Sequence, residues 1–314
     1  MIRLLLTMGD PAGIGPEVLL ACLTRFPAHA EPIVVGDRSF LESIARRLKI
    51  RFPEKRVRWV DRPISERIRP GKVQAGGGRS AYGWLEEAVR LLRRGEAEAL
   101  VTAPVSKEAI VRAGIRWRGH TEYLAGRFRS RTTMMFVTGR FRASLATTHW
   151  ALRDLPGRLN QTELIRTLRQ TREALTADFG IQRPRIGLAA LNPHGGEGGL
   201  FGAEEKTVLR PAVLRAGRGV EGPIPSDTLM KWAADGRFDA VVAIYHDQAL
   251  IPVKLIGWEQ AVNVTLGLPF VRTSPVHGTA FDLAGKGKAD PSSMRAAVRL
   301  AVDLARRRVR RPGR

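Results

Sequence analysis

The chain of 314 residues is 44% hydrophobic and 26% charged, which is the composition of a globular protein and excludes collagen, coiled coils and intrinsic disorder. Its one cysteine, Cys22, excludes a disulfide framework and favours a reducing compartment, so we expect a cytoplasmic protein. With 52 Lys and Arg against 30 Asp and Glu, the net charge is +22, which indicates anionic partners: nucleic acid, a membrane surface or phosphorylated small molecules.

The placement of the cations argues against a nucleic-acid-binding protein, the alternative from a different functional class. Arginines are dispersed over predicted helices such as 84–95 and 162–173, and aromatic residues, which would stack on bases, make up only 6%. Only the last nine residues are dense in arginine, and such a tail is typically solvated and disordered. No apolar run approaches the roughly 20 residues that span a membrane. We therefore expect neither a nucleic-acid partner nor a membrane partner.

Short apolar segments alternate with amphipathic ones along the chain. The predicted strands are 2–7, 32–35, 98–102, 133–138, 142–147, 184–190, 239–244 and 261–265. The predicted helices are 16–26, 38–48, 80–95, 106–113, 158–178, 203–217, 226–235 and 291–308. This alternation is typical of an α/β fold with a substantially parallel sheet. The glycine-rich segment 73–78 predicts a flexible loop.

The usual nucleotide-binding motifs are absent. No GxxxxGK[ST] phosphate loop occurs, and the nearest approach to GxGxxG/A, at 76–81, follows no convincing strand. A dinucleotide would therefore bind without an ordinary Rossmann turn. The first strand leads into MGDPAGIGPE (8–17), where glycines let a ligand approach the backbone and Pro16 suits the first turn of a helix. This segment fits a plain strand–helix turn and a site loop equally well.

Five of the six histidines lie beside predicted strand ends or in glycine-rich loops, whereas His29 lies in a predicted exposed loop. His149, His194 and His246 each follow a predicted buried strand, and the carboxyl ends of parallel strands share one edge of a sheet. Three imidazoles that converge there would suit a divalent metal with an open position for substrate. Their long separations carry no spacing signature, so the prediction depends on the strand ends alone.

Other polar residues fall near the same predicted elements. Asp227, taken alone, is best explained as a carboxylate at a helix N-terminus, although it also fits a group that lines the same crevice. Lys254, Asn263 and Arg272 lie on or beside the predicted strand 261–265. Together they can bind a phosphate or a carboxylate. Ordinary surface charge is the alternative in so basic a chain.

Further motifs occur along the chain: VTAPVSKEAI (101–110), GHTEYLA (119–125), TTHWALRDLP (147–156), LNPHGGEGG (191–199), GPIPSDT (222–228), YHDQ (245–248), VNVTLGLPFVRTS (262–274) and HGTAFDLAGKGKAD (277–290). With MGDPAGIGPE, they resemble in order, and over nearly the whole chain, the 4-hydroxythreonine-4-phosphate dehydrogenase (PdxA) family of pyridoxal phosphate biosynthesis. The resemblance implies a two-lobed α/β fold like that of isocitrate and isopropylmalate dehydrogenases, with the active site in the cleft between lobes. We expect residues 1–130 and 280–314 in the first lobe and 131–279 in the second.

The resemblance also assigns roles to residues. It implies a homodimer whose active site is shared between subunits, with metal ligands at His149, His194 and His246. The implied substrate contacts are His120, Thr121, Lys254, Asn263 and Arg272. Asp227 matches an acidic site residue, and Lys254 or Asp227 is the candidate general base.

The implied reaction is the NAD- or NADP-linked oxidation of 4-phosphohydroxy-L-threonine, followed by decarboxylation to 3-amino-2-oxopropyl phosphate. The implied metal is a divalent ion, with Zn, Mg, Mn and Co all possible. Gly195, Leu200 and Trp150 depart from common family residues and leave related substrates open. These are threonate or erythronate 4-phosphate and a cyclic dihydrodiol.

Overall fold

The computed structural model describes residues 1–310, and the chain begins in the first of two α/β units, which comprises residues 1–131 and 268–310. The strands of this unit before residue 131 are β1 (Ile2–Thr7), β2 (Ala30–Gly36), β3 (Arg58–Asp61) and β4 (Ala99–Thr102). The helices are α1 (Gly15–Leu23), α2 (Arg38–Leu48), α3 (Ala75–Arg93), α4 (Lys107–Arg112) and α5 (His120–Phe128). Strands and helices alternate here as the hydrophobic pattern predicts.

The second unit comprises residues 132–267. Its strands are β5 (Thr133–Thr138), β6 (Phe141–Leu145), β7 (Ile186–Ala189), β8 (Val220–Ile224), β9 (Ala240–Ala243) and β10 (Val262–Leu266). Its α-helices are α6 (Leu155–Arg158), α7 (Gln161–Ala177), α8 (Arg210–Ala216), α9 (Ser226–Ala234) and α10 (His246–Gly257). Short 3₁₀ segments cover Leu152–Asp154, Pro193–Gly199 and Trp258–Gln260, and a π-helical turn covers Glu205–Leu209.

The chain returns to the first unit through β11 (Val271–Pro275) and α11 (Ser292–Val309). Within this unit the strand order is β3-β2-β1-β4-β11, and every neighbouring pair is parallel. Within the second unit the order is β10-β5-β6-β9-β7-β8. The pairs from β10 to β6 are antiparallel and those from β6 to β8 are parallel. The predicted α/β fold with a substantially parallel sheet is confirmed.

The central strands are apolar on both faces because helices cover them. Leu4, Leu5 and Leu6 of β1 have no exposed surface, as expected for parallel strands between helical layers. In the first unit α3 packs against β1 and β2, and α11 packs against β4 and β11. In the second unit α7 and α10 pack against β5 and β6. Polar side chains are therefore concentrated in the loops that follow the strands.

Residues 75–78, predicted to be part of a flexible loop, form the first turn of α3. A Cβ on Gly78 would lie 2.2 Å from the backbone of Ala109 in α4, and one on Gly77 would lie 2.8 Å from Asp10 Oδ1. The glycines therefore permit close packing of α3 against α4 and the loop after β1. The space beside this turn is therefore occupied by the carboxyl group of Asp10.

The return to the first unit occurs at residue 268, earlier than the predicted residue 280. The reason is that β11 pairs in parallel with β4, with Val271 opposite Ala99. The sequence patterns also missed β3, β8, β11, α5, α6 and α10. β8 (VEGPI) contains Gly and Pro, and α10 contains Pro252, so neither shows the regular pattern of its class.

The arginine-rich segment at the C-terminus is helical as far as the structure describes it. Arg306, Arg307 and Arg308 lie in the last turn of α11, within the predicted helix 291–308. The expectation of a disordered tail is therefore wrong for these three residues, which continue the amphipathic pattern of the helix. Arg311 and Arg314 lie outside the described residues. Among residues 1–310, no helix combines the length and the apolar character that crossing a membrane requires.

Candidate active site

In the first unit, polar residues gather around β4 and β11. Arg272 of β11 is 2% exposed, and its Nη2 donates to Thr102 Oγ1 at 2.6 Å. Burial lowers the pKa of Arg272 to about 10, against the opposing influence of Glu122. The guanidinium is therefore still charged at neutral pH but held away from water, where charge-assisted bonds to an anion are strongest.

His120 is the first residue of α5 and is half-buried. Its pKa lies well below the usual value because burial, and then the positive charges of Arg272 and Lys107, disfavour the imidazolium. A neutral imidazole keeps one ring nitrogen as an acceptor and the other as a donor. Thr121 follows on the same first turn, so the structure brings His120, Thr121 and Arg272, all expected substrate contacts, into one part of this unit.

Three further residues of this unit, Asp10, Ser106 and Lys107, were not among the sequence-predicted site residues. Ser106 Oγ accepts from Ala109 N at 3.1 Å and caps α4, which makes Lys107 its first helical residue. Asp10 is 1% exposed, and burial raises the pKa of its carboxyl to about 6 although Ala12 N donates to it at 2.9 Å. The sequence signal for Lys107 is weak because it is one of 52 cations.

In the second unit, the loops after β6 and β9 run side by side because the two strands are neighbours. Ala146 N donates to Ala243 O at 2.8 Å, and Thr147 Oγ1 donates to Ile244 O at 2.7 Å. These contacts place His149 beside His246, with ring centroids 5.8 Å apart and ring planes at 35°. His246 Nδ1 also shares a hydrogen bond with Asp247 Oδ1 at 2.7 Å.

The geometry of this pair fits a shared metal ion. Two imidazoles on one ion, with metal–nitrogen bonds of about 2.1 Å, place their ring centroids about 5–6 Å apart. His194 lies in the 3₁₀ segment after β7, exposed and in a left-handed conformation with φ 52°. Within residues 1–310, no set of three or more His, Cys, Asp or Glu side chains is arranged to hold a metal. The structure therefore pairs His149 with His246 and leaves His194 outside such a set.

Buried polar side chains fix the loops that carry these histidines. Glu205 accepts from Leu191 N at 2.9 Å and from Asn192 N at 2.7 Å, which holds the chain before His194. Gln248, two residues after His246, accepts from Ile244 N at 2.6 Å and donates to Ala190 O at 2.8 Å. Both are positioning residues that a single sequence did not identify, because their partners are set by the fold.

Asp227 lies in the first turn of α9, which agrees with its interpretation as a carboxylate at a helix N-terminus. Its Oδ1 accepts from Thr228 N at 2.8 Å, and its side chain is exposed. The preceding Ser226 donates to Ala190 O at 3.1 Å and accepts from Gln248. Through Ser226, the first turn of α9 that carries Asp227 is therefore held to the chain after β7 and β9, the same strand ends that lead to His194 and His246.

Lys254 and Asn263 occupy different surroundings within this unit. Lys254 is exposed on α10, two helical turns or about 12 Å from His246, and its Nζ lies 4.6 Å from the centroid of the Trp258 ring. Asn263 lies on β10, and its Oδ1 is buried without a hydrogen-bond partner in the described chain. A buried acceptor of this kind is costly unless a ligand or water satisfies it, which fits the predicted binding role of Asn263.

These features describe an α/β fold whose polar groups suit a small anionic ligand. The family described as pyridoxal phosphate biosynthetic protein PdxA matches residues 28–301. The chain is 41% identical to a 4-hydroxythreonine-4-phosphate dehydrogenase from Desulfosudis oleivorans, over 96% of this chain and 95% of the relative. It is 40% identical to a D-threonate 4-phosphate dehydrogenase from Salmonella typhimurium, over 96% and 98%. The chain belongs to the PdxA family.

Solved structures agree with this assignment. A crystal structure of 4-hydroxythreonine-4-phosphate dehydrogenase from Klebsiella pneumoniae matches with a TM-score of 0.87 and 39% identity, over 97% of this chain and all of that chain. A terephthalate 1,2-cis-dihydrodiol dehydrogenase from Burkholderia xenovorans matches with a TM-score of 0.68 and 30% identity, over 96% and 98%. An isocitrate dehydrogenase from Methylococcus capsulatus, with a TM-score of 0.51 and 13% identity over 98% and 88%, shares the fold alone.

The predicted family and the predicted isocitrate-dehydrogenase-like fold are therefore confirmed. The chain is an oxidoreductase of the dehydrogenase type. A dehydrogenase of this family implies a nicotinamide cofactor. This sequence has no ordinary Rossmann motif to which such a cofactor would bind. Relatives of nearly equal identity act on different acid phosphates by their names, so similarity alone does not select the substrate.

Proposed function

We propose that the chain oxidises 4-phosphohydroxy-L-threonine with NAD or NADP and that the product is decarboxylated to 3-amino-2-oxopropyl phosphate. The observation that carries the proposal is the buried guanidinium of Arg272 beside the neutral His120. A permanently charged, desolvated fork of donors suits a phosphate or carboxylate, and the neutral ring suits a hydroxyl. The single free and buried Cys22 is consistent with a reducing cytoplasm.

The chemistry of each side chain suits it to a different role in the proposed reaction. Arg272 donates hydrogen bonds to an anionic group of the substrate, and His120 and Thr121 orient its polar groups. His149 and His246, with His194 joining from its loop, would hold a divalent ion, which when bound supplies a Lewis acid for the oxygen that is oxidised. The nicotinamide, when bound, accepts the hydride.

A general base must take the proton of the alcohol. Of the two candidates, Asp227 is the better within one chain, because Ser226 and Gln248 tie it to the strand ends that lead to the histidines. Lys254 is exposed and rests on Trp258. We assign to Asp227 the role of the general base that takes the proton. We assign to Lys254 a contact with an anionic group of a substrate bound in the partner subunit.

An apolar stripe on the surface of the second unit supports the proposal that the chain forms a homodimer. Ile251, Leu255 and Trp258 follow one helical face of α10 and its extension, and Leu255 is 83% exposed. A homodimer that covers this stripe would also bury the surroundings of Lys254. Leu255→Glu is expected to give monomers in light scattering, whereas Leu214→Glu, at an exposed position of α8, is expected to leave the dimer intact. A monomeric, fully active parent protein would contradict the shared site.

The substrate proposal is tested with a panel of compounds. The purified protein with divalent metal is assayed for NADH or NADPH formation with 4-phosphohydroxy-L-threonine, threonate 4-phosphate, erythronate 4-phosphate and a cyclic dihydrodiol. We expect the highest kcat/KM with 4-phosphohydroxy-L-threonine and none with its dephosphorylated form. Faster turnover of threonate 4-phosphate would assign the chain to the function named for its Salmonella relative. Faster turnover of the dihydrodiol would overturn phosphate recognition.

A further inference from the structure

The first unit contains a cavity of about 300 Å³ between the C-terminal end of α1 and one face of α11. Three arginines, Arg25, Arg295 and Arg299, line it together with His29, and the carboxylate of Asp303 is the one acidic group among its lining residues. The formal charge of the lining is therefore +2 with neutral histidine. A cavity of this size lies at the small end of the range for small-molecule sites.

The arginines of this cavity have no acidic ion-pair partner among the described residues. Arg25, Arg295 and Arg299 make no ion pair with another described residue, whereas many other arginines of the unit pair with glutamates, as Arg62 does with Glu87 at 2.8 Å. Arg295 Nη2 donates to Ala21 O at 3.1 Å, which fixes its side chain. Its Nε is buried and has no hydrogen-bond partner within residues 1–310. Three arginines that line one opening without an acidic partner are suited to bind an anionic ligand.

The remaining wall of the cavity is apolar. Phe26, Pro27, Val298 and Val302 line it beside the arginines. The thiol of Cys22 also lines it, and burial raises the pKa of this thiol to about 12, while the positive charges of Arg295 and Arg299 act in the opposite direction. The same volume thus offers cations for an anionic head and apolar surface for a small body.

The cavity lies at the opposite end of the strands from the residues described above. Ile2 N, at the amino end of β1, donates to His29 O at 3.2 Å, whereas Asp10 follows the carboxyl end of that strand. A strand of this length spans about 20 Å. A ligand in the cavity therefore touches neither His120 nor Arg272.

We propose that this cavity is a second binding site of the enzyme, for a small phosphate monoester with a compact apolar body. The three guanidinium groups bind the phosphate, and the body lies against Phe26 and Val302. The inference does not depend on which acid phosphate is the substrate, because the two sites share no residue.

The test uses phenyl phosphate as the probe, with binding measured by isothermal titration calorimetry. Arg25→Ala/Arg299→Ala is expected to weaken binding about tenfold or more, because two charge-assisted bonds are lost. Arg46→Ala/Arg51→Ala removes the same charge from exposed positions outside the cavity and is expected to bind like the parent. Phenol, which lacks the phosphate, is expected not to bind, and inorganic phosphate is expected to bind more weakly than phenyl phosphate.

Two further measurements separate this site from the catalytic one. In an Arg272→Gln background, phenyl phosphate is expected to keep its affinity and still raise Tm, and Arg25→Ala/Arg299→Ala is expected to keep the kcat and KM of the parent for the substrate. Equal affinity of the cavity and control variants would overturn the proposal. So would loss of binding on Arg272→Gln, since that result would place the probe at the catalytic residues.

Discussion

The polar clusters of the two units differ in whether their side chains already have the arrangement that binding a ligand requires. In the first unit, Arg272 is buried and bonded to Thr102, and His120 is held neutral beside it. In the second unit, His149 and His246 face one another near the surface, while His194 stands apart. Donors for an anion work best when they are fixed in advance, whereas metal ligands can be gathered by the ion itself. The first cluster is therefore prebuilt, and the second depends on what it binds.

The largest effect is expected from removing the metal, because the second cluster is incomplete without it. Treatment with a chelator is expected to abolish turnover and to leave the binding of a phosphate-bearing substrate by the first unit detectable by calorimetry. His246→Ala is expected to lose bound metal in elemental analysis, while His29→Ala, in the first unit, keeps the metal content of the parent. Full activity in protein shown to be metal-free would contradict the assignment of the histidines.

The next largest effect is expected at Arg272. Truncating one member of a desolvated charged contact typically costs about 2–5 kcal/mol, so Arg272→Gln is expected to lower kcat/KM by roughly thirtyfold to several thousandfold. Arg272→Lys is expected to recover only part of the loss, because an ammonium cannot reproduce the planar fork of donors. Arg46→Gln, on the exposed face of α2, serves as the control. If all three variants have the kinetics of the parent, the first cluster does not bind the substrate anion.

Asp10 gives the first unit a pH dependence that the second is not expected to share. Burial raises the pKa of its carboxyl from an ordinary value near 4 to about 6, so between these values the folded chain binds more protons than the unfolded one. The free energy of unfolding should therefore fall as pH rises through about 4 to 6, by up to about 3 kcal/mol, and then level off.

Asp10→Asn is the variant that checks this pH dependence. It carries no titrating group, so its urea-unfolding free energy is expected to lack the fall between about pH 4 and pH 6. Asp282→Asn, an exposed position, is expected to keep the slope of the parent. Equal slopes for the two variants would show that burial does not raise the pKa of the Asp10 carboxyl.

The two clusters also differ in how well sequence alone anticipates them. Buried strands appear as apolar runs, so the strand ends that precede His149 and His246 follow from the pattern. That β6 and β9 are neighbours, which brings the two histidines together, required the fold. His194 does not follow, because a run of left-handed residues redirects its loop after β7. Strand ends predict where a loop starts, but they do not predict where its side chains point.

The first cluster is harder to anticipate because its partners are distant in the chain. β11 (VRTSP) has no apolar alternation, and the hydrogen bond of Arg272 joins it to a residue 170 positions away. The family resemblance predicts that Arg272 contacts the substrate, whereas only the folded structure shows that Arg272 is buried. Lys107 and Asp10 lie within recognised motifs, but nothing in one sequence separates them from the other charged residues.

The smallest effect is expected from removing a helix cap. It tests whether α4, which begins at Lys107, is as firmly fixed for substrate binding as the rest of the first cluster. Ser106 caps α4 by accepting from Ala109 N at 3.1 Å, and Asn160 caps α7 of the second unit by accepting from Glu163 N at 3.2 Å. Replacing either cap with Ala is expected to cost about 1 kcal/mol of stability. The two variants should differ in kinetics, because only Ser106 fixes the helical turn that starts at Lys107. Ser106→Ala is therefore expected to raise KM for the phosphorylated substrate several-fold with kcat nearly unchanged, whereas Asn160→Ala is expected to alter neither. Identical KM values in the two variants would show that the Ser106 cap does not position Lys107 for the substrate.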